Sequence, residues 1–518
     1  MSNLYLMIFQ IFIGISLICL GSYFVSENVL ETLVVKFVQK FSLPLIKGSP
    51  HYEIWSKPTS INFSCYLFNV TNPDEVMRGE NPHLVEYGPF TYTEVQEKFI
   101  SYIDKEMDEI KYTTKSTYTF DRYQSLNFSK QDKIIILNPA YIGTIETLAA
   151  LPDDFMKKYG NSIPKLFPNR SSIFLKARPT DVLFDGVKIT CNPKKFPELQ
   201  LICETLKLKQ PPVLREGEKE NVYYLSFFQR LNNTSRGPFT VSRGVKDITK
   251  LGDITSYLGY RVQEVFATDL CNTVRGSDTI TWAPLMKPLP KVSTFIQDIC
   301  RTVEIDYENE VVLNGMIGSQ FVMHERVWYL NESECYCPLV DKQPVCPRRG
   351  LIDAYQCQKV PVFVSEPHFL HGDPELLNYA RGLTPNEVLH KTYVVIEPYT
   401  GIPLAGEKKT QLNLKLARRP VNLLANISEG YFPLLWFENG NKLTPFDQVL
   451  YPYQLLRYLH FMRYLQYIPL IIGIYLISIS LLFYGDTSRR VHPNATNVQS
   501  ILISNSRLNR PPQRQVVW

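Results

Sequence analysis

Each end of this 518-residue chain carries an uncharged apolar run long enough to cross a bilayer. Leu4 to Val25 (LYLMIFQIFIGISLICLGSYFV) has Gln10 as its one strongly polar side chain. As a helix it spans roughly 33 Å, about one hydrocarbon core. A cleaved signal peptide is the competing reading, but its apolar region is usually only about 7–15 residues long and follows a basic stretch. Met1-Ser2-Asn3 is not basic. The second run, Tyr467 to Tyr484 (YIPLIIGIYLISISLLFY), is flanked by aromatic residues, as bilayer interfaces favour. Pro469 stands near its start, where a missing N–H costs little.

The tail after the second run sets the orientation. Residues 485–518 hold Arg489, Arg490, Arg507, Arg510 and Arg514 against one acid, Asp486, and short basic segments stay in the cytoplasm. Two spans then divide the chain into a cytoplasmic N-terminus (1–3), a transmembrane helix (4–25), an outer segment (26–466), a second helix (467–484) and a cytoplasmic tail (485–518). The outer segment carries the N-x-S/T sequons at Asn62, Asn69, Asn127, Asn169, Asn232, Asn233, Asn331 and Asn426, candidates for glycosylation. Asn494, in the tail, is expected to stay bare. Nine of the ten cysteines also lie outside, six of them between residues 271 and 357, which suits disulfides in an oxidising compartment. A zinc site at Cys335, Cys337, Cys346 and Cys357 is the alternative, disfavoured by the C-x-C spacing and the compartment. The expectation is no metal and no cofactor.

The net charge of +5 is spread without a basic stripe, so no nucleic-acid surface is expected. Runs rich in β-branched and aromatic residues predict strands at Ile61–Val70, Lys111–Phe120, Tyr223–Gln229, Val311–Leu313, Val360–Ser365 and Thr392–Ile396. Gly88-Pro89 is expected to interrupt another, HLVEYGPFTYTEV. Between Pro139 and Phe167 the apolar spacing changes to threes and fours, predicting a helical island, and Asp153-Asp154 suits a helix N-terminus. A further helix, Pro452 to Gln466, leads into the second span. The fold class is α+β, mainly antiparallel β with a helical insert, as one large outer domain. The sequence shows no G-x-S-x-G elbow, H-E-x-x-H or P-loop, so an enzyme is not expected.

In order along the chain, Tyr66-Leu67-Phe68-Asn69-Val70-Thr71-Asn72-Pro73, Glu86-Tyr87-Gly88-Pro89-Phe90-Thr91-Tyr92, Pro367-His368-Phe369, Gly372-Asp373-Pro374 and Pro398-Tyr399-Thr400-Gly401-Ile402-Pro403 resemble the class B scavenger receptor family. Within it, Leu183-Phe184-Asp185-Gly186 before Cys191 and Cys203, Arg243-Gly244-Val245-Lys246-Asp247, and Cys271-Asn272-Thr273-Val274-Arg275-Gly276-Ser277-Asp278 look most like the insect sensory neuron membrane proteins.

The resemblance implies an antiparallel β-barrel with a helical cap and an apolar tunnel. Spacing leaves all 15 pairings of six cysteines open. The family pattern implies Cys271–Cys335, Cys300–Cys357 and Cys337–Cys346; Cys191 and Cys203, both outside those pairs, are expected to form a fourth bridge, leaving Cys65 over on a strand and Cys19 in lipid. It also implies a cell-surface receptor or co-receptor. Such a protein would capture lipophilic, fatty-acid-derived odorants or pheromones and pass them to an odorant receptor channel or to the membrane. A homo-oligomer is a further candidate assembly. Lys157, Lys158, Lys165 and Arg170 form a basic cluster on the helical island, the expected mouth for ligand, with Arg170 standing before Ser171-Ser172-Ile173-Phe174 where a fatty-acid-binding relative has a contact lysine. A general scavenger receptor for lipoprotein, carotenoid or apoptotic-cell uptake, and an adhesion glycoprotein without a tunnel, are the competing functions.

Overall fold

The computed structural model describes residues 2–149, 153–208, 210–285, 289–328 and 334–491. Asn331, Asn494 and the tail arginines from Arg507 onwards lie outside them. The chain falls into two compact units, residues 39–453 and the pairing of the two ends, up to Val38 and from Gln454.

In the terminal unit the helix Ser2–Ser26 lies against Ile468–Val491. Leu4–Ser26 of the first and Ile468–Tyr484 of the second are apolar all round, as lipid on one side and a helix on the other require. Close approach is made through glycine. A Cβ on Gly473 would stand 2.6 Å from the Gly14 carbonyl oxygen, and one on Gly21 2.6 Å from the Leu470 nitrogen. Gln10 Oε1 accepts a hydrogen bond from Ser480 Oγ at 3.1 Å, so these two polar side chains meet across the helix pair. Arg463 grips Glu31 with two guanidinium nitrogens at 2.8–3.0 Å. These helices are long and apolar enough to cross a membrane. Phe446–Leu465 begins earlier than the expected Pro452, which sits inside the helix.

The larger unit is built on one antiparallel sheet. The strands β1 (Thr59–Val70), β2 (Leu84–Asp104) and β3 (Glu109–Phe120) come first. An insert follows with its own short strands: β4 (Ile134–Leu137) pairs with β5 (Phe174–Ala177), and β6 (Val187–Thr190), β7 (Leu214–Glu216) and β8 (Val222–Leu225) form a second small sheet. The chain returns through β9 (Ser235–Ser242), β10 (Ile254–Tyr257), β11 (Lys291–Ile296), β12 (Arg301–Leu313) and β13 (Met316–Val322). After the hairpin β14 (Leu339–Val340) and β15 (Gln343–Pro344) come β16 (Ile352–Asp353), β17 (Phe363–Ser365), β18 (Tyr393–Ile396), β19 (Pro403–Leu416) and β20 (Gly430–Asn441).

The sheet order is β10-β9-β3-β2-β1-β20-β19-β18-β13-β12-β11. Its two edges meet through one segment: Ser277 bridges Asp253 beside β10 and Thr294 on β11. Ile254 N–H donates to the Gly276 carbonyl at 2.8 Å and Ser277 N–H to that of Ser293 at 2.9 Å, so the sheet curls into a nearly closed barrel. Gly88-Pro89 does not break β2, which runs 21 residues. It lies where the β1–β2 register shifts between Cys65 and Leu67, a bulge in which proline's missing N–H is tolerated. The insert's helices, Pro139–Ala149 and Asp153–Tyr159, bury Tyr141, Ile142, Ile145 and Met156 in the same apolar core as Phe63, Cys65 and Leu67 of the barrel.

Candidate functional site

Alternation along β1 gives the barrel two different faces. Phe63 and Cys65 lie in a cross-strand row with Asn439 and Lys408, and with Phe437 and Thr410. This face points inward. Arg236 on β9 and Lys408 on β19, far apart in the strand order, both reach Asp298 on the β11–β12 turn, at 2.5 and 3.3 Å. Aromatic rings line the adjoining wall: Phe63 lies 4.9 Å from Phe228 and 5.4 Å from Tyr118, and Phe228 lies 5.2 Å from Phe437. Their edge-on packing is the favoured geometry for such rings. Although they face inward, Asp298 keeps 38% of its side chain exposed, Lys408 35% and Arg236 19%. Tyr118, Phe437 and Leu412 are only half-buried. Glu94 on this face is buried and accepts from Ser116 Oγ and Asn439 Nδ2, both at 2.7 Å. Burial pushes the Asp298 carboxyl up, but Arg236 and Lys408 outweigh it and hold it well below the carboxylate range.

The outer face is polar. Tyr66 stacks on Trp436 with centroids 3.9 Å apart, and Trp436 Nε1 donates to Glu86 at 2.7 Å. Glu86 also meets His368 Nε2 at 2.8 Å, and the His368 ring stacks on His390 at 4.4 Å. Burial raises the Glu86 carboxyl, but hydrogen bonds from His368 and Trp436 prevail and lower it. Burial, then the neighbouring His368, depress His390 to about 4. Backbone N–H groups of Thr384 and Asn386 occupy Nδ1 of His368 and His390, so these imidazoles are fixed in place by the fold. A cavity of about 450 Å³ that includes Tyr66 is lined also by Ser64, Thr91, Gln124, Glu407 and Glu438, among others.

On the insert the predicted basic cluster divides. Lys157 and Lys158 are exposed on their short helix, with Lys158 5.2 Å from the Tyr159 ring. Lys165 pairs with Glu198. Lys165 and Arg170 converge on the Phe196 ring, at 5.5 and 5.0 Å from its centroid, and Lys195 joins them at 5.5 Å. Lys195, Phe196 and Glu198 escaped sequence reasoning. The available signal was Lys194-Lys195-Phe196-Pro197 inside the loop bounded by Cys191 and Cys203, whose sulfurs are bonded with Cα atoms 5.6 Å apart.

Three further disulfides join Cys271 to Cys335, Cys300 to Cys357 and Cys337 to Cys346, while Cys65 is free and buried and Cys19 free and exposed on its helix. Of the sequon asparagines, Asn127, Asn169, Asn233 and Asn426 are exposed, and Asn62, Asn69 and Asn232 half-buried. Among the described residues no three His, Cys, Asp or Glu side chains gather as a metal cluster.

The sequence model of the CD36 family matches residues 12–484. Sensory neuron membrane protein 2 of Heliothis virescens is 31% identical over 83% of this chain and 85% of its own length. The protein of the same name from Manduca sexta is 31% identical over 79% and 80%, and sensory neuron membrane protein 1 of Apis mellifera 30% over 77% of each chain. A match of this extent, on a two-span membrane protein with a nearly closed antiparallel barrel, places the chain in the CD36 family.

Proposed function

We propose that this protein is a cell-surface receptor or co-receptor that captures lipophilic ligands, fatty-acid-derived odorants or pheromones, and passes them through the barrel to an odorant receptor channel or to the membrane. The observation that carries the reading is the inward face of the barrel, where Phe437, Leu412 and Tyr118 retain accessible surface beside the aromatic wall. An alkyl chain lying there leaves water at about 0.8 kcal/mol per CH₂, and a passage inside a barrel spares it from re-entering solvent on the way. The proposed mouth is the insert, with Lys165, Arg170 and Lys195 around Phe196 meeting the polar end of the ligand. Exposed Lys157 and Lys158 add to the positive field that draws it in.

The reading includes an orientation. Both termini are cytoplasmic, and residues 26–466 face outward, with glycans on exposed sequons and disulfides kept by an oxidising medium. Two experiments test it. A fluorescent fatty-acid analogue is expected to bind the full-length protein in nanodiscs saturably; no saturable binding ends the lipid reading. Deleting the gene in antennal neurons is expected to blunt responses to long-chain lipid odorants. Normal responses with impaired lipid or carotenoid uptake elsewhere transfer the protein to the general scavenger function.

A further inference from the structure

The inward-facing charges do not balance. Arg236 and Lys408 share Asp298 between them, and Glu94 is engaged by Ser116 and Asn439. Arg230, on the short turn Gln229–Leu231 that leads into β9, lies in the field of both Arg236 and Asp298. It forms no ion pair among those described; its Nη2 donates to the neutral amide of Gln358, and its buried Nε has no hydrogen-bond partner. A largely buried guanidinium with an N–H left unmatched costs free energy that the field of Asp298 and the bond to Gln358 return only in part. The surroundings are rigid. The Cys300–Cys357 disulfide ties the β11–β12 turn to the helix Tyr355–Gln358, and Gln358 Nε2 also donates to the Asp298 carbonyl at 2.7 Å.

Resting on the lipid-capture reading above, we propose that Arg230, assisted by Arg236 and Lys408, is an anion site inside the barrel that receives the carboxylate or phosphate head group of an amphiphile whose chain runs along the Phe63–Phe228–Phe437 wall. The fork of a guanidinium accepts either head in two-point contact, and its open Nε supplies one of the two donors. Asp298 is the internal competitor, occupying Arg236 and Lys408 when no ligand is bound. The barrel therefore selects for a charged head, where an apolar lumen alone would rank ligands by chain length.

The test uses full-length protein in nanodiscs carrying a fluorescent fatty-acid analogue, displaced by a sixteen-carbon fatty acid, its methyl ester or the corresponding alkyl phosphate. The acid is expected to displace the probe about tenfold or more better than the ester, as a charge-assisted hydrogen bond implies. Arg230→Gln is expected to erase that ratio by weakening the acid, while Arg230→Lys, which keeps the charge and loses the two-point fork, retains only part of it. A phosphate that outranks the ester also supports the site, and the tighter of the two anions names its head group. Equal displacement by acid and ester in the unmodified protein overturns the anion site but leaves lipid capture standing; displacement by neither ends lipid capture itself. If Arg170→Gln with Lys195→Gln abolishes the preference and Arg230→Gln leaves it, the head group is held on the insert and the proposal falls. Should Arg230→Gln not fold, Asp298→Asn decides: freeing Arg236 and Lys408 is expected to raise the ratio several-fold, and an unchanged ratio overturns the site.

Discussion

His51 is fully buried, with Nε2 2.7 Å from Thr281 Oγ1, and burial, helped by Lys98, drives it down to about 4. His390 is depressed to about the same value. A histidine kept neutral by the fold is protonated first in the unfolded chain, so its stabilisation is present above about pH 6.5 and is lost as pH falls towards 4. For His51 the loss is of order 3 kcal/mol. Hydrogen bonding by Glu366, then by Glu387, raises His371 against the opposing effect of burial. Its contribution is complete below about pH 6.5 and fades as pH climbs past its raised value. Thermal melts should therefore show a lower Tm at pH 5 than at pH 7, and His51→Gln should shrink that difference. Gly401 gives a second residue-scale prediction: its φ is +75°, and a Cβ there would stand 1.9 Å from the Trp282 carbonyl oxygen. Gly401→Ala should lose roughly 1–3 kcal/mol from the backbone strain alone, measured by denaturation, because the fixed carbonyl cannot give way. Gly401 was visible in the sequence as part of Pro398-Tyr399-Thr400-Gly401-Ile402-Pro403, but its reason was not. The close approach belongs to a segment more than a hundred residues earlier.

Elements were read best where the pattern is local. The run at Ile61–Val70 is β1, Lys111–Phe120 lies within β3, and Asp153 opens the second helix of the insert. The inward charges were not legible, because Arg230 and Arg236, Asp298, and Lys408 come from three separate stretches that only barrel closure brings together. Gln10 stood out in its apolar run, while its partner Ser480 was one serine among several, 470 positions away. The terminal helix pair gives the element-scale prediction. Replacing Gly473 by Leu should separate helices whose backbones touch there, and a disulfide engineered from Gln10→Cys and Ser480→Cys should then cease to form, as read by gel mobility. On the insert, opening Cys191–Cys203 by Cys191→Ser with Cys203→Ser should cost up to about 3 kcal/mol, the loop-closure contribution of a short bridge. Calorimetry should show it as a lower Tm.

At the scale of the whole molecule, the two apolar ends constrain the rest, since two spans place everything between them in one compartment. If residues 26–466 are outside, glycosidase treatment should increase gel mobility, and Asn→Gln changes at exposed Asn127, Asn169, Asn233 and Asn426 should remove that effect stepwise. An unmodified protein in a glycosylating cell would reverse the orientation. The junction at Ser277 has a consequence of another kind. A curled sheet whose first and last strands are stitched at Ser277 presents, among the described residues, a shorter row of unpaired amides for a neighbouring polypeptide to zip onto. Copies crowded on one cell surface can therefore jostle side by side with little tendency for their main sheets to grow into one another.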